Sequence, residues 1–216
     1  MFADRQTAGR ALAIPVRDFL DGLENAADPI VLALPRGGVP VAAEIARAFG
    51  LPLDLLLVRK IGAPGHPELA LGAVVDGAAP DIAINEDVAA SYGFDEADVR
   101  EMAKAHLAEI ERRHRLYLEG RPPIPATGRT AIVVDDGIAT GASLMAALHA
   151  LARRQPARIV LAIPVAPPET LARLRPLADE VVCLEAPAHF YAVGAHYRSF
   201  AQVDDDEVVS LLRALR

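Results

Sequence analysis

The stretch Ala131–Ser143, AIVVDDGIATGAS, decides how this chain is read. An apolar run ends on two adjacent carboxylates, Asp135 and Asp136. A turn follows, with glycines at 137 and 141, hydroxyls at Thr140 and Ser143, and the opening of a helix. A glycine-bearing strand-to-helix loop presents several backbone N–H groups in one direction, and the helix dipole adds partial positive charge. Together they form an anion cradle of phosphate size. Two carboxylates beside such a cradle repel a bare phosphate. They suit a ligand that sets neutral hydroxyls, a Mg²⁺ ion, or both, next to its phosphate. A sugar with a phosphate at one end and vicinal hydroxyls at the other meets both demands.

The same strand-then-helix pattern continues outward in both directions. Upstream, residues 30–34 (IVLAL) and 53–58 (LDLLLV) are short apolar runs suited to buried parallel strands, with a helix over 39–49 between them. Residues 4–20 place Ala8, Leu12, Val16 and Phe19 at helical spacing, interrupted by Pro15. Residues 59–71 hold two prolines and two glycines and read as a mobile loop, followed by short strands at 72–75 and 82–84. A long helix spans 94–118. Downstream come strands at 130–134, 158–163 and 180–184, with helices over 142–154 and 168–177. Asp204 caps a last helix over 205–215. This alternation predicts an α/β fold, a doubly wound parallel sheet with helices on both faces and ligands at the carboxyl ends of its strands. The expected organisation is one domain over 1–216, with a core at about 25–184 and a C-terminal hood and helix at about 185–216.

Competing readings of the central stretch fail on particular residues. A P-loop needs a lysine where Ala142 stands. A receiver domain ends its first strand on paired aspartates, whereas 134 residues precede this pair and no lysine follows Lys104. A dinucleotide-binding oxidoreductase needs Gly-x-Gly-x-x-Gly after a strand, and none occurs. The bland alternative is an ordinary corner with two solvated aspartates.

Composition narrows the partners. Of 216 residues, 52% are hydrophobic and 24% charged, enough to bury a core. A net charge of -7 and a pI near 5.4 argue against nucleic acid or an anionic membrane as partner. An anionic ligand must then be held by a local site. The single cysteine, Cys183, excludes a disulfide framework, and the N-terminus has no apolar signal segment. The chain reads as cytoplasmic.

The Asp-Asp-Gly-Ile-Ala-Thr-Gly-Ala-Ser segment resembles the signature of type I phosphoribosyltransferases, whose donor is phosphoribosyl pyrophosphate. The resemblance implies that Asp135 and Asp136 meet the ribose hydroxyls and a Mg²⁺ cofactor. It likewise assigns the 5-phosphate to Gly137, Ile138, Ala139, Thr140, Gly141, Ala142 and Ser143. Gly137 departs from the apolar residue usual in that family. The Pro35-Arg36-Gly37-Gly38 turn is similar to the family's pyrophosphate loop, whose strained peptide bond would be Arg36–Gly37 here. Arg59 and Lys60 open the expected mobile loop and would neutralise the leaving pyrophosphate. His66 and Glu68 lie on that loop and could serve as proton-transfer groups, though solvated loop positions are the stronger reading of both.

The Phe190–Phe200 series resembles the hood of purine-salvage enzymes, with Phe190, Tyr191, Tyr197 and Phe200 as candidate stacking faces for an acceptor base. Two departures matter. No lysine stands at 163–168, where 6-oxopurine enzymes carry one, and Ala139 replaces their acid, so hypoxanthine, guanine and xanthine are disfavoured. From FADRQTAG through PRGG, RKIGAP, PVAPPE and FYAVG to DDDEV, the chain is similar to a bacterial group of predicted phosphoribosyltransferases with an unsettled acceptor. The resemblance implies a transferase of nucleotide metabolism, working as a homodimer on small-molecule substrates, with no nucleic acid or membrane partner. The alternative is a non-catalytic sensor of phosphoribosyl pyrophosphate or a nucleotide.

Overall fold

In the computed structural model, which describes residues 1–23, 27–75 and 81–215, the alternation read from the sequence is built as follows. The N-terminal half runs α1 (Arg5–Asp21), β1 (Ile30–Ala33), α2 (Gly38–Phe49), β2 (Leu53–Leu55), β3 (Val58–Ala63), β4 (His66–Val75), β5 (Asp81–Ile84), α3 (Glu86–Ser91) and α4 (Glu96–Leu118). The C-terminal half runs β6 (Thr130–Val134), α5 (Ala142–Arg153), β7 (Arg158–Val165), α6 (Pro168–Leu174), β8 (Glu180–Glu185) and α7 (Asp205–Leu215). Five parallel strands form the main sheet in the order β2-β1-β6-β7-β8. Strand pleating sends alternate residues to opposite faces. Val31, Ala33, Ile132 and Val134 therefore enter one core with α1, α2 and α7. Ile30, Leu32, Ala131 and Val133 enter a second core with α5 and α6. Helices cover both faces, which is why these strands are mostly apolar.

Helix boundaries follow local chemistry. Asp4 caps α1 by accepting from the Thr7 amide, and the helix continues through Pro15. Asp95 and Asp98 form a reciprocal capping box at the start of α4. Gly50 ends α2 in the left-handed conformation.

The loop expected over 59–71 is instead most of a β-hairpin. β3 and β4 pair antiparallel from Val58↔Val75 to Ala63↔His66, with register shifts at Gly62, and β5 extends them to a three-stranded sheet. The prolines and glycines do not break it, because Pro64 and Gly65 form the turn between the strands and Gly62 sits at the irregularity. Ile61, Ala63 and Leu71 are buried in the core shared with α4, which holds the hairpin in place. The expected 53–58 strand is also divided, its first half in the main sheet and Val58 in the small one.

Candidate functional site

The site forms where β1 and β6 lie side by side and both end in glycine-rich turns. Asp135 and Asp136 follow the last residue of β6. The Asp136 amide donates to Asp135 Oδ1 at 2.9 Å, and the Asp136 side chain is only 13% exposed. Burial, reinforced by the Asp136 charge, pushes the Asp135 carboxyl well above its ordinary range. Burial raises Asp136 too, opposed by the guanidinium of Arg5, whose Nε donates to Asp136 Oδ2 at 2.7 Å. Buried, mutually repelling carboxylates at a strand end carry a cost that a cation or a set of hydroxyl donors relieves.

The loop after the pair is anchored from behind. The Ile138 amide donates to the Val165 carbonyl at 2.9 Å. The carbonyls of Ala139 and Thr140 accept from Thr170 Oγ1 (2.7 Å) and Arg173 Nη2 (2.8 Å) of α6. With its carbonyls turned to α6, the loop passes through Gly141 (φ 75°) into α5. The first-turn amides at Ala142, Ser143 and Leu144 have no intrahelical partner, as at any helix start. Thr140 and Ser143 are exposed there. Gly137 adopts φ 151°, and a Cβ on it would stand 2.5 Å from Val193 Cγ1. The hood therefore closes directly on the position where this chain departs from the family pattern.

The Pro35–Gly38 turn faces the acid pair. A Cβ on Gly37 would lie 2.0 Å from Asp136 Oδ2, and one on Gly38 would lie 2.7 Å from the Val134 carbonyl. These glycines let the two loops approach backbone to carboxylate. The cis peptide bond is Pro35–Arg36, one residue before the Arg36–Gly37 bond expected from the sequence. Arg36 Nη1 donates to Asp205 Oδ1 at 3.4 Å, and the buried Tyr117 hydroxyl donates to the same oxygen at 2.6 Å. The Tyr117 hydroxyl, first of all, holds the Asp205 carboxyl below its usual range.

Two cavities flank the acid pair. One, of about 230 Å³, is lined by Asp135, Ser143, Arg59 and Arg113 with apolar walls including Leu34 and Ile110. Arg59 Nε is buried there with no hydrogen-bond partner among the described residues. Lys60, the next residue on the strand, does not line this cavity. The other, of about 480 Å³, is lined by Arg5, Arg36, Gly37, Asp136, Val193, Phe200, Gln202 and Val203. His66 lies outside both, at the hairpin tip with its ring centroid 6.1 Å from that of Tyr92. The Glu68 side chain lies outside the described residues.

The hood aromatics divide. Tyr191 is 92% exposed and Phe190 stacks on His196 with centroids 5.3 Å apart. Tyr197, expected as a stacking face, is buried between Phe2 (5.4 Å) and Phe200 (5.0 Å) and donates its hydroxyl to the Asp136 carbonyl at 2.5 Å. It props the acid pair, with no free face for a base. Burial, ahead of the Asp136 charge, raises its pKa, so it stays a donor at neutral pH. Sequence reasoning missed Arg5, Tyr117, Asp205, Arg113 and Val193, since each reaches the site from a distant element.

A family model and curated relatives identify the family of this chain. Residues 7–198 match the family model described as "Phosphoribosyl transferase domain". The crystal structure of TT1426 from Thermus thermophilus superposes with a TM-score of 0.88 at 42% identity, covering 100% of this chain and 99% of that one. Two Mycobacterium tuberculosis proteins, from strains H37Rv and CDC 1551, are named provisionally as phosphoribosyl transferases. Each is 46% identical over 212 residues, covering 98% of this chain. The chain spans 46% of the length of each.

Proposed function

The chain belongs to the phosphoribosyl transferase domain family, and from that premise we propose that it is a Mg²⁺-dependent phosphoribosyltransferase. It would move ribose 5-phosphate from phosphoribosyl pyrophosphate to a nitrogenous base other than a 6-oxopurine, as a cytoplasmic enzyme. The observation that carries this reading is the contact of two loops. The Asp135–Ser143 turn, with its helix-start amides, lies against the Arg36–Gly38 turn at the distance of a glycine backbone from a carboxylate oxygen.

In this reading Gly137–Ser143 hold the 5-phosphate through loop amides and the hydroxyls of Thr140 and Ser143. Asp135 and Asp136 accept from the ribose hydroxyls. Arg36, Gly37, Gly38 and Arg59 hold the pyrophosphate, with Lys60 reaching it only if the hairpin moves. The acceptor nitrogen bonds to ribose C1 and gives up its proton to solvent. The C1–oxygen bond breaks and pyrophosphate leaves with the electron pair. The site's guanidinium groups neutralise that departing charge, and the buried carboxylates stabilise the positive charge on the sugar.

The donor set fits Mg²⁺ in one specific way. Among the described residues no three His, Cys, Asp or Glu side chains gather into a cage. Mg²⁺ characteristically binds one or two carboxylates and completes its shell with waters and substrate oxygens, and Asp135 and Asp136 can supply the carboxylates. Bound there, the ion would supply charge neutralisation on pyrophosphate. On the acceptor side, Ile163–Pro168 offers no lysine and Ala139 no acid, so a 6-oxo group and N7 have no side-chain partner at those positions.

The test is calorimetric titration of phosphoribosyl pyrophosphate with and without Mg²⁺, followed by pyrophosphate release with a panel of bases. Micromolar, Mg²⁺-dependent binding is expected, and the Asp135→Asn, Asp136→Asn double variant should release no pyrophosphate while folding. Absence of binding in both conditions would sink the reading. Binding without release for every base would favour the sensor.

A further inference from the structure

We propose that Arg5, in the first turn of α1, is a pyrophosphate-binding residue, acting beside Arg36 from the N-terminal helix. The proposal rests on the phosphoribosyl-transfer reading and adds a residue that the two loop motifs do not contain.

Three contacts fix the Arg5 guanidinium. Nε donates to Asp136 Oδ2 at 2.7 Å, Nη1 donates to the Ala201 carbonyl at 2.6 Å, and the Phe200 ring lies 3.8 Å from the guanidinium carbon. Nη2 donates to no protein atom among the described residues. The side chain is 12% exposed and lines the 480 Å³ cavity with Arg36, Gly37 and Gln202. Arg5 and the Gly37 backbone both approach the same atom, Asp136 Oδ2. The guanidinium is thus a wall of the space that the Arg36–Gly37 turn opens onto.

Its position is held relative to that turn. A Cβ on Gly9 would stand 2.5 Å from the Val41 carbonyl, so α1 lies backbone against backbone on α2, the helix that the Arg36–Gly38 turn begins. A pre-placed guanidinium loses little conformational freedom on binding, and its planar fork matches phosphate oxygens. Charge points the same way. Asp136 alone would repel a pyrophosphate held by its neighbour Gly37. Arg5 neutralises that carboxylate and retains N–H groups for the anion.

Phosphoribosyl pyrophosphate, pyrophosphate and ribose 5-phosphate, titrated with Mg²⁺ into wild type, Arg5→Gln, Arg5→Lys and Arg10→Gln, separate this role from mere support of Asp136. Arg5→Gln should weaken both pyrophosphate-bearing ligands by about 10- to 100-fold, the range of a lost charge-assisted contact. Ribose 5-phosphate, which lacks the pyrophosphate, should change less than about threefold by the same reasoning. Arg5→Lys should recover part of the loss, and Arg10→Gln, on the solvent side of α1, should bind like wild type. Equal losses for all three ligands would reduce Arg5 to a support for Asp136 and overturn the proposal, as would unchanged binding in Arg5→Gln. A wild type that binds no phosphoribosyl pyrophosphate would overturn the functional reading itself, a result visible before any variant is made.

Discussion

Gly137 shows how one residue records the closeness of the hood. Its φ of 151° disfavours any side chain, and Val193 Cγ1 occupies the space a Cβ would need. Gly137→Ala should therefore destabilise the fold by about 1–3 kcal/mol, the range of strained-backbone and overpacking substitutions. Adding Val193→Ala relieves the clash and leaves the backbone strain. The double variant should recover part of the loss, and a double variant no more stable than Gly137→Ala would mean that Val193 is not the obstacle. Under the proposed function, the 137–143 loop should lose affinity for the 5-phosphate in step with stability, because Val193 and Val165 press on the same glycine.

At the scale of elements, α4 and α7 meet the Arg36–Gly38 turn through Tyr117, Asp205 and Arg36. Burial, then the Asp205 hydrogen bond, pushes the Tyr117 hydroxyl up to about 12 from an ordinary 10.0. The folded state thus holds this proton more tightly than the unfolded chain. Its stabilising contribution is complete below pH 10 and is lost as pH rises toward 12. Tyr117→Phe should lower Tm by about 2–4 °C, the shift made by about 1 kcal/mol for one hydrogen bond in a chain of this length. It should also flatten the stability curve between about pH 10 and 12, and an unchanged alkaline slope would show that Tyr117 does not titrate there. The strut explains what the sequence could and could not reveal. The parallel strands were legible because each is built on a short, largely apolar run, and the two loops were legible because each motif is contiguous. The hairpin at 58–75 was not, since its turn and its irregularity carry the same glycines and prolines that mark loops. Arg5, Tyr117 and Asp205 were illegible for another reason: their partners lie 131, 88 and 169 residues away in the chain. No local pattern encodes such pairs, which arise only when α1, α4 and α7 pack around the sheet.

The whole molecule carries the acid pair at a cost to its own stability. Asp135 titrates above its ordinary 3.8 because burial and Asp136 disfavour its charge. The folded state therefore binds this proton more tightly than the unfolded chain does, and stability falls as pH rises from below 3.8 through the folded value. At neutral pH, above that ordinary value, the ligand-free protein has already lost stability to this shift. Asn in place of Asp135 keeps an acceptor for the Asp136 amide and leaves the Arg5–Asp136 pair intact. Asp135→Asn should raise Tm at about pH 7 by at least about 2 °C, the effect of roughly 1 kcal/mol in a protein of this size. The gain should shrink as the pH is lowered toward about 4. Ligand should separate the two proteins. Phosphoribosyl pyrophosphate with Mg²⁺ at about a hundred times its Kd adds about 2.7 kcal/mol to a protein that binds it, enough to raise Tm by about 5–10 °C. Wild type should show that shift and Asp135→Asn should show little or none. Thermal scans of both proteins, with and without ligand, give every value the comparison needs. A variant that melts below wild type without ligand would mean that Asp135 is there to hold the fold, and the argument that its burial serves a ligand would fail.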